Sequence, residues 1–135
     1  MTAIIRNVQE QSSLAAPRIL VLEDHHDLRR LYAKVLTKAG YEVYPAATLE
    51  EARGLLSRQH VDIFVCDIHV GDERGTDLLR EQSAALSQQG TKIVVVSGQA
   101  QYRSMCEELG IDFYLEKPVG LEMLLTLMNR LAIGP

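Results

Sequence analysis

Ile63-Phe64-Val65-Cys66-Asp67 sets four apolar residues in a row and closes them with a carboxylate. A short apolar run of this length suits a strand buried on both faces. A charge at the end of such a strand is costly unless something uses it. The same arrangement recurs along the chain. Arg18-Ile19-Leu20-Val21-Leu22 stops at Glu23-Asp24, Lys92-Ile93-Val94-Val95-Val96 stops at Ser97, and Asp112-Phe113-Tyr114-Leu115 leads into Lys117-Pro118. In a parallel sheet these ends share one edge, where such folds place their sites.

Helical patterns fill the intervals. Leu28, Leu31, Tyr32, Val35, Leu36 and Ala39 have helical spacing, and Gly40 is the expected stop. Tyr41–Tyr44 reads as a short second strand ended by Pro45. Thr48-Leu49-Glu50-Glu51 has capping-box spacing and opens a helix expected to reach Gln59, with His60 at its end. The third strand is expected over Asp62–Asp67, and the polar stretch Ile68–Gly75 as a loop. A third helix is expected from Thr76 to Gln88 with Gly90 after it, and a fourth over residues 99–109 with Gly110 after it. The final helix carries Leu121, Leu124, Leu125, Met128 and Leu131. Five strand–helix units in alternation predict an α/β fold: a doubly wound five-stranded parallel sheet with right-handed crossovers and helices on both faces.

Composition narrows the function. The chain has 135 residues, 47% hydrophobic and 24% charged, enough for one domain with a real core. Its net charge of −4 argues against nonspecific binding to nucleic acid, which needs a basic face. No apolar run approaches the length of a membrane span, and no basic, apolar leader opens the chain. The two cysteines fit a reducing compartment, with Cys66 a small core residue rather than a disulfide partner. A cytoplasmic location is the expectation. Residues 1–16 read as a flexible N-terminal arm, 17–131 as the domain, and 132–135 as a C-terminal tail. With the chain ending there, an output domain is not expected on this polypeptide.

The polar strand ends make sense as a group. If the first and third strands are neighbours, Glu23, Asp24 and Asp67 converge, and their mutual repulsion raises proton affinity unless a cation neutralises it. Oxygen ligands of this kind suit a hard ion such as Mg²⁺. Ser97 offers a hydroxyl and Lys117 a compact positive charge. No Ser-His-Asp order and no glycine-rich phosphate loop is present. A carboxylate nucleophile, a divalent ion, a hydroxyl and a lysine are equipment for phosphoryl transfer to an aspartate. Plainer readings exist for each residue. Asp67, Asp24 and Ser97 could cap helices, Lys117 could be a solvated surface group, and His25-His26 fit capping or exposure better than a metal site.

These residues, in this order, resemble the receiver domain of two-component response regulators, and the likeness spans about residues 17–131. The acidic pair Glu23-Asp24 follows the first strand, Asp67 takes the phosphoacceptor position, and Gly75 follows eight positions later. Ser97 takes the family's Thr/Ser position, Tyr114 its switch aromatic, and Lys117-Pro118 its Lys-Pro pair, usually joined by a cis bond. The resemblance implies flavodoxin-like strand order 2-1-3-4-5. It implies Mg²⁺ held by Glu23, Asp24, Asp67 and the backbone carbonyl of His69. It implies a sensor histidine kinase or phosphotransfer protein as donor, with Ser97 and Lys117 contacting the phosphoryl group. The face made by helix four, strand five and helix five would then change, for a downstream protein partner or a homodimer to read. No turnover of an external substrate is implied.

The chain departs from the family in the loop after the acceptor. Val70-Gly71 stands where Met-Pro is common, Gly71-Asp72-Glu73-Arg74-Gly75 is heavily charged, and Phe113 replaces one of two acids that precede the switch tyrosine in DNA-binding relatives. The altered loop motivates the alternative of a receiver-like binding module independent of phosphate. A hydrolase with an aspartate nucleophile fits less well, because dehalogenase-like phosphatases want a second Asp where this chain has His69.

Overall fold

Five strands and five helices alternate along the chain in the computed structural model, which describes residues 15–70 and 73–133. Strands β1 (Arg18–Leu22), β2 (Glu42–Ala46), β3 (Ile63–Asp67), β4 (Lys92–Ser97) and β5 (Phe113–Glu116) form one sheet in the order β2-β1-β3-β4-β5. Every pairing in it is parallel. Helices α1 (His26–Lys38), α2 (Leu49–Arg58), α3 (Gly75–Gln88) and α4 (Arg103–Glu108) make the four crossovers, and α5 (Leu121–Ile133) follows the last strand. This is the 2-1-3-4-5 order of flavodoxin-like folds.

The period of two in each strand divides the core. Leu20, Leu22, Phe64, Cys66, Ile93 and Val95 pack on one face, against Ala52 of α2, Leu78 and Leu79 of α3 and Met105 of α4. Ile19, Val21, Ile63, Val65, Val94 and Val96 pack on the other, against Tyr32 and Leu36 of α1 and Leu124 and Met128 of α5. Both faces being covered explains why these strands are continuously apolar. Gly40 and Gly90, with φ of +104° and +88°, end α1 and α3 in a left-handed turn that a side chain would oppose. At the start of α2, Thr48 Oγ1 accepts from the Glu51 N–H at 3.1 Å, and the Glu51 carboxylate accepts from the Ala47 N–H at 2.7 Å. The reciprocal cap expected from the spacing is thus formed one residue earlier on its return arm.

Several boundaries differ from the sequence expectation. Strand β2 runs through Pro45, which pairs with Val21. The strand lies at the sheet's edge, where a missing N–H breaks no interior ladder. Helix α2 stops at Arg58, and His60 lies beyond it with Nε2 3.4 Å from Asp62 Oδ1. The fourth helix opens with a 3-10 turn at Ala100–Tyr102, because the Gln99 carbonyl accepts from the Tyr102 N–H in the tighter pattern. Strand β5 begins one residue later than expected, at Phe113.

The expected loop after Asp67 is partly ordered. His69–Val70 pairs antiparallel with Glu73–Arg74 in a two-residue ladder. The Gly75 N–H donates to the Ile68 carbonyl and draws the ends together, so α3 begins at Gly75. Gly71 and Asp72, most of the N-terminal arm (residues 1–14), and Gly134 and Pro135 of the tail lie outside the described residues.

Candidate functional site

The parallel order brings four strand ends side by side. Glu23 and Asp24 follow β1, Asp67 ends β3, Ser97 ends β4, and Lys117 follows β5. Glu23 and Asp67 are each only 3% exposed, whereas Asp24 is exposed at the rim. Carboxylate oxygens from all three lie within 4.8 Å of one another. The Lys117 ammonium donates to Asp67 Oδ2 at 3.2 Å and lies 3.8 Å from Glu23 Oε1. The bond joining Lys117 to Pro118 is cis, and the Lys117 N–H donates to the Ser97 carbonyl at 2.9 Å.

Burial sets the electrostatics. It raises the proton affinity of Glu23, with Asp67 and Asp24 adding to it and the His25 N–H and Lys117 opposing. Burial also raises Asp67 above the usual aspartate value, against the lowering pull of Lys117 and of the His69 N–H, which donates to Oδ1 at 3.2 Å. On Lys117, burial pulls the ammonium down, but Asp67 and Glu23 outweigh it and hold the group above its usual value. Two nearly buried acids thus share one ammonium. The pair is short of positive charge.

Ser97 is buried, and its hydroxyl is engaged on the main chain. It donates to the Gln99 carbonyl at 3.2 Å and accepts from the Gln99 N–H at 3.0 Å. The Tyr114 hydroxyl donates to that same carbonyl at 2.6 Å. The tyrosine is half-buried, and the Arg103 guanidinium lies 4.7 Å from its ring centroid. On the other side, the His69 ring meets Tyr102 edge to face at 5.5 Å. The Gln99 carbonyl is therefore a shared acceptor for the two residues whose positions the sequence singled out as a pair.

Gly75 closes the floor. A Cβ there would sit 2.5 Å from the Asp67 carbonyl oxygen and 3.2 Å from Cys66 Sγ. Cys66 itself is a buried core residue whose thiol burial pushes well above its ordinary value. His25 caps α1, its Nδ1 accepting from the Leu28 N–H at 3.2 Å, while the exposed His26 lies 3.3 Å from Asp27. Sequence reasoning missed Arg29, Gln99 and Arg103. Arg29 bonds main-chain carbonyls of the acidic turn, Gln99 acts through its backbone, and Arg103 meets Tyr114 only in the folded chain. No side-chain pattern in a sequence marks a backbone acceptor.

Three hard oxygen donors, two of them buried and undersupplied with positive charge, fit a divalent cation. No sulfur or imidazole donor joins the group among the described residues, which favours Mg²⁺ over softer metals. Among the described residues no helix is long and apolar enough to cross a membrane.

Comparison with known proteins agrees with this geometry. The family model for the response regulator receiver domain matches residues 19–129. The sensor histidine kinase RcsC of Escherichia coli (strain K12) is 33% identical over 109 residues, 78% of this chain. The chain spans only 11% of that protein's length. A CheY-like receiver domain from Methanospirillum hungatei is 28% identical with a TM-score of 0.76, covering 84% of this chain and 91% of that one. A response regulator from Burkholderia pseudomallei, solved with a phosphorylated aspartic acid, a calcium ion and citrate, is 27% identical with a TM-score of 0.72, covering 82% of this chain and 65% of that one. With the family model covering most of the chain and the strand order and acidic cleft in place, this chain belongs to the response regulator receiver domains of two-component phosphorelay signalling.

Proposed function

We propose that Asp67 is the phosphoacceptor of this receiver. The observation that carries the proposal is a nearly buried carboxylate, bonded to Lys117 at 3.2 Å and clustered with Glu23 and Asp24 at the open edge of the sheet. A carboxylate oxygen of Asp67 attacks the phosphorus of a phosphohistidine, forming the acyl phosphate as the histidine nitrogen leaves. The donor is a sensor histidine kinase or phosphotransfer protein. Lys117 supplies a fixed positive charge for the phosphoryl oxygens, and the Ser97 hydroxyl, released from Gln99, supplies a hydrogen-bond donor. Glu23, Asp24, Asp67 and the backbone carbonyl of His69 would hold Mg²⁺, which would neutralise charge on the transferring group. The Burkholderia relative, carrying both a phosphorylated aspartate and a divalent ion, supports this pairing.

The same contacts supply a switch. Drawing Ser97 to the phosphoryl group breaks its two bonds to Gln99, and Tyr114 turns inward once its own bond to the Gln99 carbonyl is given up as that residue shifts. The face of α4, β5 and α5 changes with it, presenting a different surface to a downstream partner or a second copy. This is a population shift, driven by the difference in phosphate contacts between the two states. The domain turns over no external substrate in this scheme. It works in the cytoplasm in this scheme, in line with its two buried free cysteines.

The test is incubation with Mg²⁺ and a small phosphodonor, read by intact mass. One phosphoryl group should appear on the unaltered chain and none on Asp67→Asn. No phosphorylation across several donors, together with partner binding indifferent to Asp67→Asn, would replace this reading with a phosphate-independent binding module.

A further inference from the structure

Between β1 and α1 the chain must turn within Glu23, Asp24 and His25 while presenting two carboxylates toward Asp67. Mutual repulsion works against that turn. Its backbone is tied down from the helix it leads into. Nη1 of Arg29, half-buried on the first turns of α1, donates to the Glu23 carbonyl at 3.0 Å and to the Asp24 carbonyl at 3.3 Å. The Arg29 N–H donates to the His25 carbonyl at 2.9 Å, and the His25 N–H donates to Glu23 Oε2 at 3.1 Å. One guanidinium thus bridges the carbonyls of both residues whose carboxylates form the rim of the cleft. Such bonds are charge-assisted and stronger than neutral ones.

The recorded bonds of the Arg29 guanidinium go to the backbone of the turn rather than to the Glu23 carboxylate. The charged neighbours that bear on the Glu23 carboxyl are Asp67, Lys117 and Asp24, and the guanidinium is directed at backbone oxygens instead.

We propose that Arg29 is a positioning residue for the divalent cation, fixing the Glu23-Asp24 turn so that its carboxylates meet Asp67. The proposal rests on the acidic group being a cation site. It makes a prediction opposite in sign to simple electrostatics. A positive charge close to a cation site weakens cation binding, so its removal alone would tighten it. Loss of a group that orients ligands weakens binding, typically by 10–100-fold.

The experiment is calorimetric titration of the phosphate-free protein with MgCl₂, comparing Arg29→Ala, Arg29→Lys and Arg30→Ala. Arg30 is exposed and neighbours Arg29, so its variant removes the same charge without touching the turn. Arg29→Ala should bind Mg²⁺ about tenfold more weakly than the unaltered chain. Arg29→Lys, able to reach one carbonyl, should recover part of the loss. Arg30→Ala should bind equally or slightly more tightly. Should Arg29→Ala fail to fold, Arg29→Lys still decides, since affinity at or above that of the unaltered protein refutes positioning. Equal or tighter binding by Arg29→Ala overturns the proposal alone. Absence of Mg²⁺ binding by the unaltered chain overturns the cation reading, and this proposal with it.

Discussion

Two glycines inside this chain should respond to alanine with opposite signs. Gly54 lies within α2, where a new Cβ would meet the Arg58 Nη1 at 2.9 Å. That atom is the tip of a flexible side chain and can move aside. The substitution then gains helix propensity, worth about 0.5–1 kcal/mol. Gly75 opens α3, and there a Cβ would lie 2.5 Å from the Asp67 carbonyl oxygen, 3.2 Å from Cys66 Sγ and 3.2 Å from the Ile68 Cα. A carbon and a carbonyl oxygen make contact at about 3.3 Å or more, so the closest pair is roughly 0.8 Å too near. Two of the three obstacles are backbone, and the third belongs to a fully buried side chain. Relief therefore requires α3 to lift or the end of β3 to shift. Overpacking of this kind costs about 1–3 kcal/mol, more than the propensity gain.

Urea unfolding of the two variants beside the unaltered chain tests this. With a slope of about 1–3 kcal/mol per molar urea, a net loss of about 1 kcal/mol, the packing cost less the propensity gain, lowers the midpoint by roughly 0.5 M for Gly75→Ala. Gly54→Ala should raise it by no more than that. The displaced strand end also carries Asp67, so Gly75→Ala should slow phosphorylation by a small phosphodonor, and Gly54→Ala should not. A Gly75→Ala midpoint equal to or above that of Gly54→Ala would refute the packing argument.

Stability should also depend on pH in a direction set by the cleft. Glu23 and Asp67 have folded-state proton affinities above their ordinary values of 4.5 and 3.8. The metal-free fold binds those protons more readily than the unfolded chain, so this contribution favours folding progressively as pH falls from neutral toward the ordinary carboxylate range. Lys117, raised above its ordinary 10.5, keeps its contribution throughout that window and loses it only in strong alkali. The stabilisation added by Mg²⁺ should shrink over the same acid window, since protons compete for its ligands. Denaturation midpoints with and without Mg²⁺ across pH check both signs, and a metal-independent profile would contradict them. At the switch, Arg103→Ala removes a cation–π contact worth about 0.5–1 kcal/mol at an exposed site. Tyr114 should then leave the surface more readily, shown by altered ring resonances in the unphosphorylated protein. Unchanged Tyr114 resonances would show that the hydroxyl bond to Gln99 alone holds the ring.

Much of this architecture is legible in the residues because the physics behind it is local. Short apolar runs such as Ile63–Cys66, too short for a helix between their polar flanks, suit strands buried on both faces, and a run interrupted at helical spacing, such as Leu28 to Ala39, buries one stripe. Asp67 stands out because a charge at the end of a buried strand needs a purpose. The misjudged places have non-local causes. Pro45 remains in a strand because β2 is an edge, and being an edge is a property of the assembled sheet. The segment after Asp67 forms a small ladder because Gly75 and Ile68 are brought together by a backbone bond.

The sequence by itself determined the alternation, the parallel sheet and the chemical kinds of group at its edge. Periodicity and the cost of buried charge are enough for that. Tertiary structure alone decided how those groups divide their roles. Glu23 lies buried beside Lys117 while the adjacent Asp24 faces solvent, a distinction that neighbouring acids in a sequence cannot express. Tertiary structure also decided that Ser97 and Tyr114 share the Gln99 carbonyl and that Arg29 holds the acidic turn. Backbone oxygens are the same in every residue. Their partners exist only once the chain has folded around them.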